Sequence, residues 1–402
     1  MDHPTLAPVV TFLISTYNRR EVLLGTLAEL SLLGQRTDVL TETIVVDNAS
    51  TDGTAAAIAA TVPDVRVVRL DRNLGACGKN AGLPLAGGEF VVFLDDDSYP
   101  TVDTVHRLIE HFGADEQLGA AVFTVTLPDG SQECSAYPNV AIGCGTAFRR
   151  VALEQVGGLP TDFFMAAEEY DVSLRLLGAG WDVRRFDDLH VRHLKTPGAR
   201  QPTRISRLDA RNNLMLATRY LPRKWVVPFA VDWARRYWWI AGSKGPGHRR
   251  ATAVGLAQGL ARSLRPGHRR PIGQVAFERF SRGVDIHRRL DKAVRVRRAR
   301  SIVLVDVGKN LLPFYNACRA CGLQVVAIAD DRLAAAGRTY HGIPVVTDAV
   351  AAGLDFDAAV VANLSPVHAR LSGQRWRELQ VRPVIDLFEP VAESAPPMRM
   401  AA

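Results

Sequence analysis

Through the first two hundred residues, short apolar or β-branched runs alternate with stretches whose apolar positions recur every three or four residues. Val9–Ile14, Thr43–Asp47, Val65–Leu70 and Phe90–Leu94 are runs of strand length, and Arg20–Leu33, Thr54–Ala60 and Leu74–Ala86 lie between them with helical character. This βαβα order predicts an α/β fold: a mostly parallel sheet flanked by helices, since each parallel return needs a crossover. Ligands in such sheets sit beyond the carboxyl ends of the strands. Three of those ends are polar here: Ser15-Thr16-Tyr17-Asn18, Asp47-Asn48-Ala49-Ser50 and Asp95-Asp96-Asp97. Their convergence on one crevice is the central expectation.

The alternation stops near residue 203. Residues 204–300 read as helical, with breaks at Gly245-Pro246-Gly247 and Pro266-Gly267. Four of the six tryptophans fall between Trp225 and Trp239. Phe229, Trp233, Tyr237 and Ile240 recur there at helical spacing, with Asp232, Arg235 and Arg236 on the other side, which predicts an amphipathic helix with an aromatic face. Strand–helix alternation resumes with Ile302–Val305, Val325–Ala329 and Ala358–Ala362 as candidate strands. The expected division is an α/β domain over 1–203, a basic helical segment over 204–300, a second, smaller α/β domain over 301–392, and a tail over 393–402 that frays.

Apolar residues make up 47% of the 402, a globular composition in a chain long enough for two or three domains. The start MDHPTLAPVV lacks the basic and apolar blocks of a signal peptide, and no run of about 18 uncharged apolar residues offers a membrane span. Five scattered cysteines fit reduced thiols; Cys318 and Cys321 form one CxxC without a second pair, the pattern of a buried or surface thiol. A cytoplasmic protein is expected. The net charge of +7 hides an asymmetry: residues 201–300 hold 24 Lys/Arg against 5 Asp/Glu, a surplus of 19 that leaves the remainder at −12. Basic residues interleaved with tryptophan predict peripheral association with an anionic membrane surface, on the inner face of the cell membrane; the alternative is a helical subdomain packed on the first domain with its tryptophans buried. No nucleic-acid motif accompanies the arginines, so no specific nucleic-acid partner is expected.

The run Val91-Val92-Phe93-Leu94 stops at the three aspartates. Mutual repulsion makes such a cluster costly without a cation, and a hard divalent cation there would in turn attract phosphates. In chain order the first half reads STYNRR, VVDNASTDGT, NLGACGKNAGLPLAGG, FLDDDS, GTAFRR and GGLPTDFFMAAEEYDVSLRLLGAGW. Together these motifs resemble the family-2 nucleotide-sugar glycosyltransferases of the GT-A fold, over about residues 8–195. The resemblance implies an inverting, metal-dependent enzyme that moves a sugar from a nucleoside-diphosphate donor to a hydroxyl group. The acceptor expected here is a lipid-linked or polymeric cell-envelope glycan.

The resemblance also implies roles. Thr16 and Tyr17 would hold the nucleotide base and Asp47 the base or ribose, where a carboxylate accepts hydrogen bonds; taken by itself, Asp47 serves equally well as a cap of the following turn. Asn73, Gly75 and Lys79 belong to an asparagine–glycine–basic–asparagine helix start. Gly75 and Gly78 would allow close backbone approach, and Lys79 would face the diphosphate; the alternative for Lys79 is an exposed helical lysine. Asp97 would ligate Mn²⁺ or Mg²⁺ and Asp95 would be shared between ribose and metal, both opposite Asp96 on an extended segment. Glu169 would take the acceptor's proton, with Glu168 the other candidate for that base; a solvated helix N-terminus favours acids without any catalytic task. Asp171 would orient the helix. Leu189, Val191 and His193 share one strand face, and His193 would add a metal ligand or else stay at the surface or behind the ligands.

The last α/β segment looks like the degenerate dinucleotide-fold domains attached to some sugar-processing enzymes. A dinucleotide fingerprint needs glycines near 306 and 311, and only Gly308 is present, so a scaffold or homo-oligomerisation role is expected there. Two other functions share the acidic crevice: a non-catalytic nucleotide- or carbohydrate-binding protein, and a nucleotidyltransferase, which would release pyrophosphate.

Overall fold

The computed structural model describes residues 8–198, 201–379 and 382–389. They form two compact units, one up to Arg282 and one from Gly283 onward. The tail over 393–402, expected to fray, lies outside the described residues.

In the first unit, β1 (Val10–Thr16), α1 (Arg20–Arg36), β2 (Thr41–Asp47), α2 (Thr54–Thr61) and β3 (Arg66–Arg69) come in the predicted order. β1 pairs in parallel with β2, and β2 with β3. The chain then crosses back to lay β4 (Phe90–Asp95) parallel to the other edge of β1. This reversal opens a crevice at the carboxyl ends of β1 and β4. Phe12, Ile14, Phe90, Val92 and Leu94 pack with Leu23, Leu27 and Leu30 of α1 in the core. Each such side chain contributes about 1.5–3 kcal/mol by leaving water, which fixes the strands whose ends carry the polar residues.

Beyond β4 the sheet becomes mixed. β5 (Ser98–Pro100), α3 (Val102–Ala114), β6 (Leu118–Thr126), β7 (Gln132–Glu133), β8 (Thr146–Arg149), α4 (Arg150–Val156), α5 (Glu168–Gly178) and β9 (Asp182–His193) follow. The strand order is β3-β2-β1-β4-β8-β6-β9-β5, with β7 beside β6. β8 runs antiparallel to both β4 and β6, so the purely parallel arrangement holds only on the β1 side of β4. On β9 the predicted alternation holds: Leu189, Val191 and His193 are buried, and His190 and Arg192 are exposed. The helix predicted over 74–86 is instead two 3-10 turns, Gly75–Ala81 and Leu83–Leu85. Three glycines and Pro84 remove the backbone preference for a longer α-helix.

The basic segment contributes α6 (Pro202–Tyr220), α7 (Arg223–Lys244), α8 (Pro246–Ser263) and α9 (Gln274–Ser281) to this same unit. Phe229 and Trp233 are buried in an aromatic cluster with Trp225 and Phe277. The aromatic face of α7 is therefore a packing face rather than a membrane-facing one. Asp232, expected on the polar side, is buried too, because α6 and α8 both pack on α7 and cover more than one stripe of it.

The second unit opens with α10 (Gly283–Arg297), followed by β10 (Ser301–Val305), α11 (Leu311–Ala320), β11 (Gln324–Ala329), β12 (Thr339–Tyr340) and β13 (Ile343–Val346). It ends with α12 (Asp348–Ala352), β14 (Ala358–Val361), α13 (Pro366–Glu378) and β15 (Val384–Ile385). Its strand order is β12-β13-β11-β10-β14-β15, parallel except for β12. The turn after β10 is tied by protein groups: Asp330 accepts from the Val307 amide at 3.0 Å, and Asn363 Nδ2 donates to Asp306 at 2.7 Å. All five cysteines are free thiols.

Candidate active site

The strand ends meet as predicted. In register, Thr16 stands opposite Asp47, and Ser15 opposite Asp95. Asn48 laces the turns together: its Nδ2 donates to the carbonyls of Thr16 (3.2 Å) and Gly75 (3.3 Å), while its Oδ1 accepts from Leu74 N (3.0 Å). Asn73 Oδ1 accepts from Gly75 N at 2.8 Å in the same turn. Gly75 has φ +65°, and a Cβ there would lie 2.2 Å from the Phe164 carbonyl oxygen. The close approach it permits is with the chain's own backbone.

Asp47 is fully buried. Its Oδ1 accepts from Ser50 N at 2.9 Å, the predicted capping bond, but Oδ2 has no hydrogen-bond partner among the described residues, and Arg69 Nε stands 3.9 Å away. A buried carboxylate oxygen in that state is costly unless a ligand donates to it. Tyr17 is exposed beside it, whereas Thr16 is buried and donates to Asp96 Oδ2 at 2.8 Å.

β4 ends at Asp95, and Asp96 and Asp97 form a turn, so the predicted alternation does not extend past Asp95. Asp96 and Asp97 share one cation: Arg19 Nε lies 2.9 Å from Asp96, and Arg19 Nη2 2.9 Å from Asp97. Asp97 also accepts from the Thr196 amide at 2.9 Å and lies 3.2 Å from His193 Nε2. Burial pushes Asp96 up to about 6 despite Arg19. Burial works the same way on Asp97, but His193 and Arg19 outweigh it and hold that carboxyl below its usual range. For His193, burial opposes the charged ring, yet bonds to Asp97, Cys144 and Glu133 push it up to about 12. Its Nδ1 lies 2.7 Å from Glu133. Lys79 is 1% exposed, not the exposed helical lysine of the alternative reading, and its Nζ lies 3.6 Å from Asp95 and above the Phe93 ring.

Between these groups and α5 lies a cavity of about 250 Å³, its polar lining made by Lys79, Asp95, Glu133, Glu168, Glu169, His193 and Lys195. Cys144 lines it too. Ligand atoms of Asp95, Cys144 and His193 all lie within 4.8 Å of one another, a spacing that fits one divalent cation. This set contains Asp95 and His193 of the expected ligands and adds a thiol, while Asp97 bonds to His193 and Arg19. Arg19, Glu133 and Cys144 were not found from the sequence. Glu133 sits on a two-residue strand, and Cys144 in a glycine-flanked turn, so neither carries a periodic signal.

α5 begins at Glu168, after Ala167 in a left-handed conformation. Glu168 is buried, its Oε2 has no hydrogen-bond partner, and burial followed by the charge of Glu169 pushes its pKa well above the ordinary value. Glu169 lines the cavity, and Gly143 leaves it room: a Cβ there would stand 3.3 Å from Glu169 Oε1. Asp171 turns away to Arg175, Arg219 and Tyr220, anchoring the helix as expected.

Residues 11–165 match the family described as Glycosyl transferase family 2. A succinoglycan biosynthesis protein, ExoO of Rhizobium meliloti (strain 1021), is 39% identical over 119 residues, covering 28% of this chain and 33% of that protein. Poly-beta-1,6-N-acetyl-D-glucosamine synthase of Staphylococcus aureus (strain COL) is 27% identical over 199 residues, covering 44% of this chain and 47% of the synthase. The chain thus spans between a third and a half of the length of these curated relatives. Among solved structures, the mannosyltransferase PcManGT of Pyrobaculum calidifontis, in complex with GDP-Man and Mn2+, aligns with TM-score 0.43 at 24% identity, over 66% of this chain and 83% of that one. S. aureus TarS 1-349 in complex with UDP-GlcNAc aligns with TM-score 0.48 at 14% identity, over 78% and 92%.

Proposed function

We propose, from the premise that residues 11–165 are a glycosyl transferase family 2 domain, that the protein transfers a sugar with inversion from a nucleoside diphosphate to a hydroxyl of a lipid-linked or polymeric cell-envelope glycan. The observation that carries this reading is the one cavity that Glu169 lines together with Lys79, Asp95 and His193. The proposed base shares it with a place for a diphosphate and a cation. The succinoglycan and poly-N-acetylglucosamine relatives support the choice of an envelope polysaccharide.

The orphaned oxygen of Asp47 and the exposed ring of Tyr17 receive the nucleotide base, with Thr16 holding the strand end to Asp96. Asn73 and Gly75 shape the turn beside the diphosphate, and buried Lys79 supplies its countercharge. Glu133 and Asp97 face the two ring nitrogens of His193, so a cation bound there would displace the proton from one of them. A divalent cation held by Asp95, Cys144 and His193 would stabilise the leaving diphosphate as a Lewis acid, and sulfur and nitrogen donors favour Mn²⁺ over Mg²⁺. Glu169 accepts the acceptor's proton; single displacement with one base gives inversion. Glu169→Gln should lower kcat about 10²–10⁴-fold while donor binding stays nearly intact. Normal turnover of that variant would remove Glu169 from the mechanism. Release of nucleoside diphosphate, rather than pyrophosphate or nothing, separates this reading from nucleotidyl transfer and from a non-catalytic binder.

The acceptor places the enzyme at a membrane surface. No helix among the described residues is long and apolar enough to cross one. Val227, Val231 and Trp238 nevertheless share an exposed stripe of α7, near basic residues of α7 and α8, which supports peripheral binding at the inner face of the cell membrane. In the second unit, the ties of Asp330 and Asn363 to the turn after β10 support a scaffold or homo-oligomer role over dinucleotide binding.

A further inference from the structure

The approach to α5 is unusual backbone. Phe164 (φ 75°), Ala166 (φ 69°) and Ala167 (φ 66°) all occupy the left-handed region, and none is glycine. Such residues persist only where the surroundings over-determine them. Here the surroundings are two consecutive side chains of α6. Asn212 is fully buried; its Nδ2 donates to the carbonyls of Met165 (3.0 Å) and Ala166 (2.6 Å), and its Oδ1 accepts from Arg211 Nε at 2.7 Å. Arg211, also buried, donates through Nη2 to the carbonyls of Phe163 (2.6 Å) and Asp162 (3.3 Å). Four carbonyls from one short turn thus converge on one buried pair.

That turn borders the reacting centre. Met165 and Ala166 form part of the cavity wall, Glu168 and Glu169 follow at once, and the Phe164 carbonyl abuts Gly75. A shift in the turn therefore moves the acid pair directly. We propose that Arg211 and Asn212 are positioning residues: lining no part of the cavity, they hold the strained 163–167 turn and so aim Glu168 and Glu169 into it. The inference rests on the reading of Glu169 as the base.

The test measures nucleoside diphosphate released by the full chain from the best of a panel of UDP- and GDP-sugars. It compares the parent, Asn212→Ala, and Asn212→Ala combined with Ala166→Gly and Ala167→Gly. Glycine adopts positive φ without steric cost, so the turn with two glycines depends less on the clamp. Asn212→Ala is expected to lower kcat about 10²-fold with donor KM within about twofold, the effect of a catalytic group displaced by about 1 Å. The two glycines should restore most of that loss. A folded Asn212→Ala enzyme with parental kcat, or a loss that the glycines leave untouched, overturns the proposal. Should Asn212→Ala not fold, folding and turnover regained in the glycine variant support it, and a folded but inactive glycine variant overturns it. Hydrogen exchange at the Glu168–Asp171 amides reads the clamp without turnover: faster exchange in Asn212→Ala is expected, and unchanged exchange overturns the clamp. Glu169→Gln assayed alongside separates the two failures, since its normal turnover would discard the base while the exchange result still decides the clamp.

Discussion

Glu168 and Glu169 are neighbours of the same type with opposite surroundings, and that contrast divides their work. Both line the cavity, but Glu168 is buried with one oxygen unbonded, whereas Glu169 is half-buried. The folded-state pKa of Glu168 lies above the value of 4.5 that serves for the unfolded chain. Between those two values the folded protein holds a proton that the unfolded chain releases. The resulting stability is complete below the unfolded pKa and lost as pH rises through the folded one. A carboxamide is neutral at every pH. Glu168→Gln should therefore escape this loss and melt above the parent at pH 8, with the gap closing toward pH 5. Melting curves from pH 5 to 8 check this, and a gap that does not widen with pH contradicts it. The sequence pointed to the carboxylates because acids at strand and helix ends are conspicuous. Their partners were hidden: nothing local marks Arg19 as the cation shared by Asp96 and Asp97, or Cys144 as the neighbour of His193, since both relations join residues distant in the chain.

At the level of elements, strands were legible where burial on both faces produced a continuous apolar run, as in β1 and β4. The alternation of β9, buried on one face only, put His193 on the buried side. The turns were not legible, because their shapes come from tertiary contacts. The 3-10 segment from Gly75 was expected as an ordinary helix, yet its first residue is pinned at positive φ against the Phe164 carbonyl. Gly82, just past that segment, lies so close to the sheet that a Cβ would stand 2.5 Å from Leu13 Cδ1. Gly75→Ala combines a backbone penalty with a collision against backbone that cannot swing away. It should cost about 1–3 kcal/mol of stability. It should also depress turnover, because the displaced neighbour is the turn that carries the acid pair. A urea-unfolding midpoint and kcat measured on the same preparation test both, and a variant of parental stability would show that the two loops are not packed as described.

Across the whole molecule, charge is segregated more sharply than the fold requires. Residues 201–300 hold 24 Lys/Arg, and in α7 the aromatic residues Phe229 and Trp233 are already spent on packing. The proposed membrane affinity therefore has to come from the outer faces, where Val227, Val231 and Trp238 of α7, Leu260 of α8 and Leu264 just after it are exposed. Each Lys or Arg near an anionic leaflet adds about 1 kcal/mol, so several acting together give measurable binding that salt weakens. Apolar side chains entering the interface add a part that salt leaves intact. The protein should sediment with vesicles containing anionic phospholipid, less with pure phosphatidylcholine vesicles, and less again as ionic strength rises. Val227→Asp with Val231→Asp should remove the salt-resistant part and leave turnover on a water-soluble acceptor unchanged, because neither residue lines the cavity. Absence of sedimentation with anionic vesicles even at low salt would mean that this basic surface meets the glycan acceptor or another protein, not a bilayer.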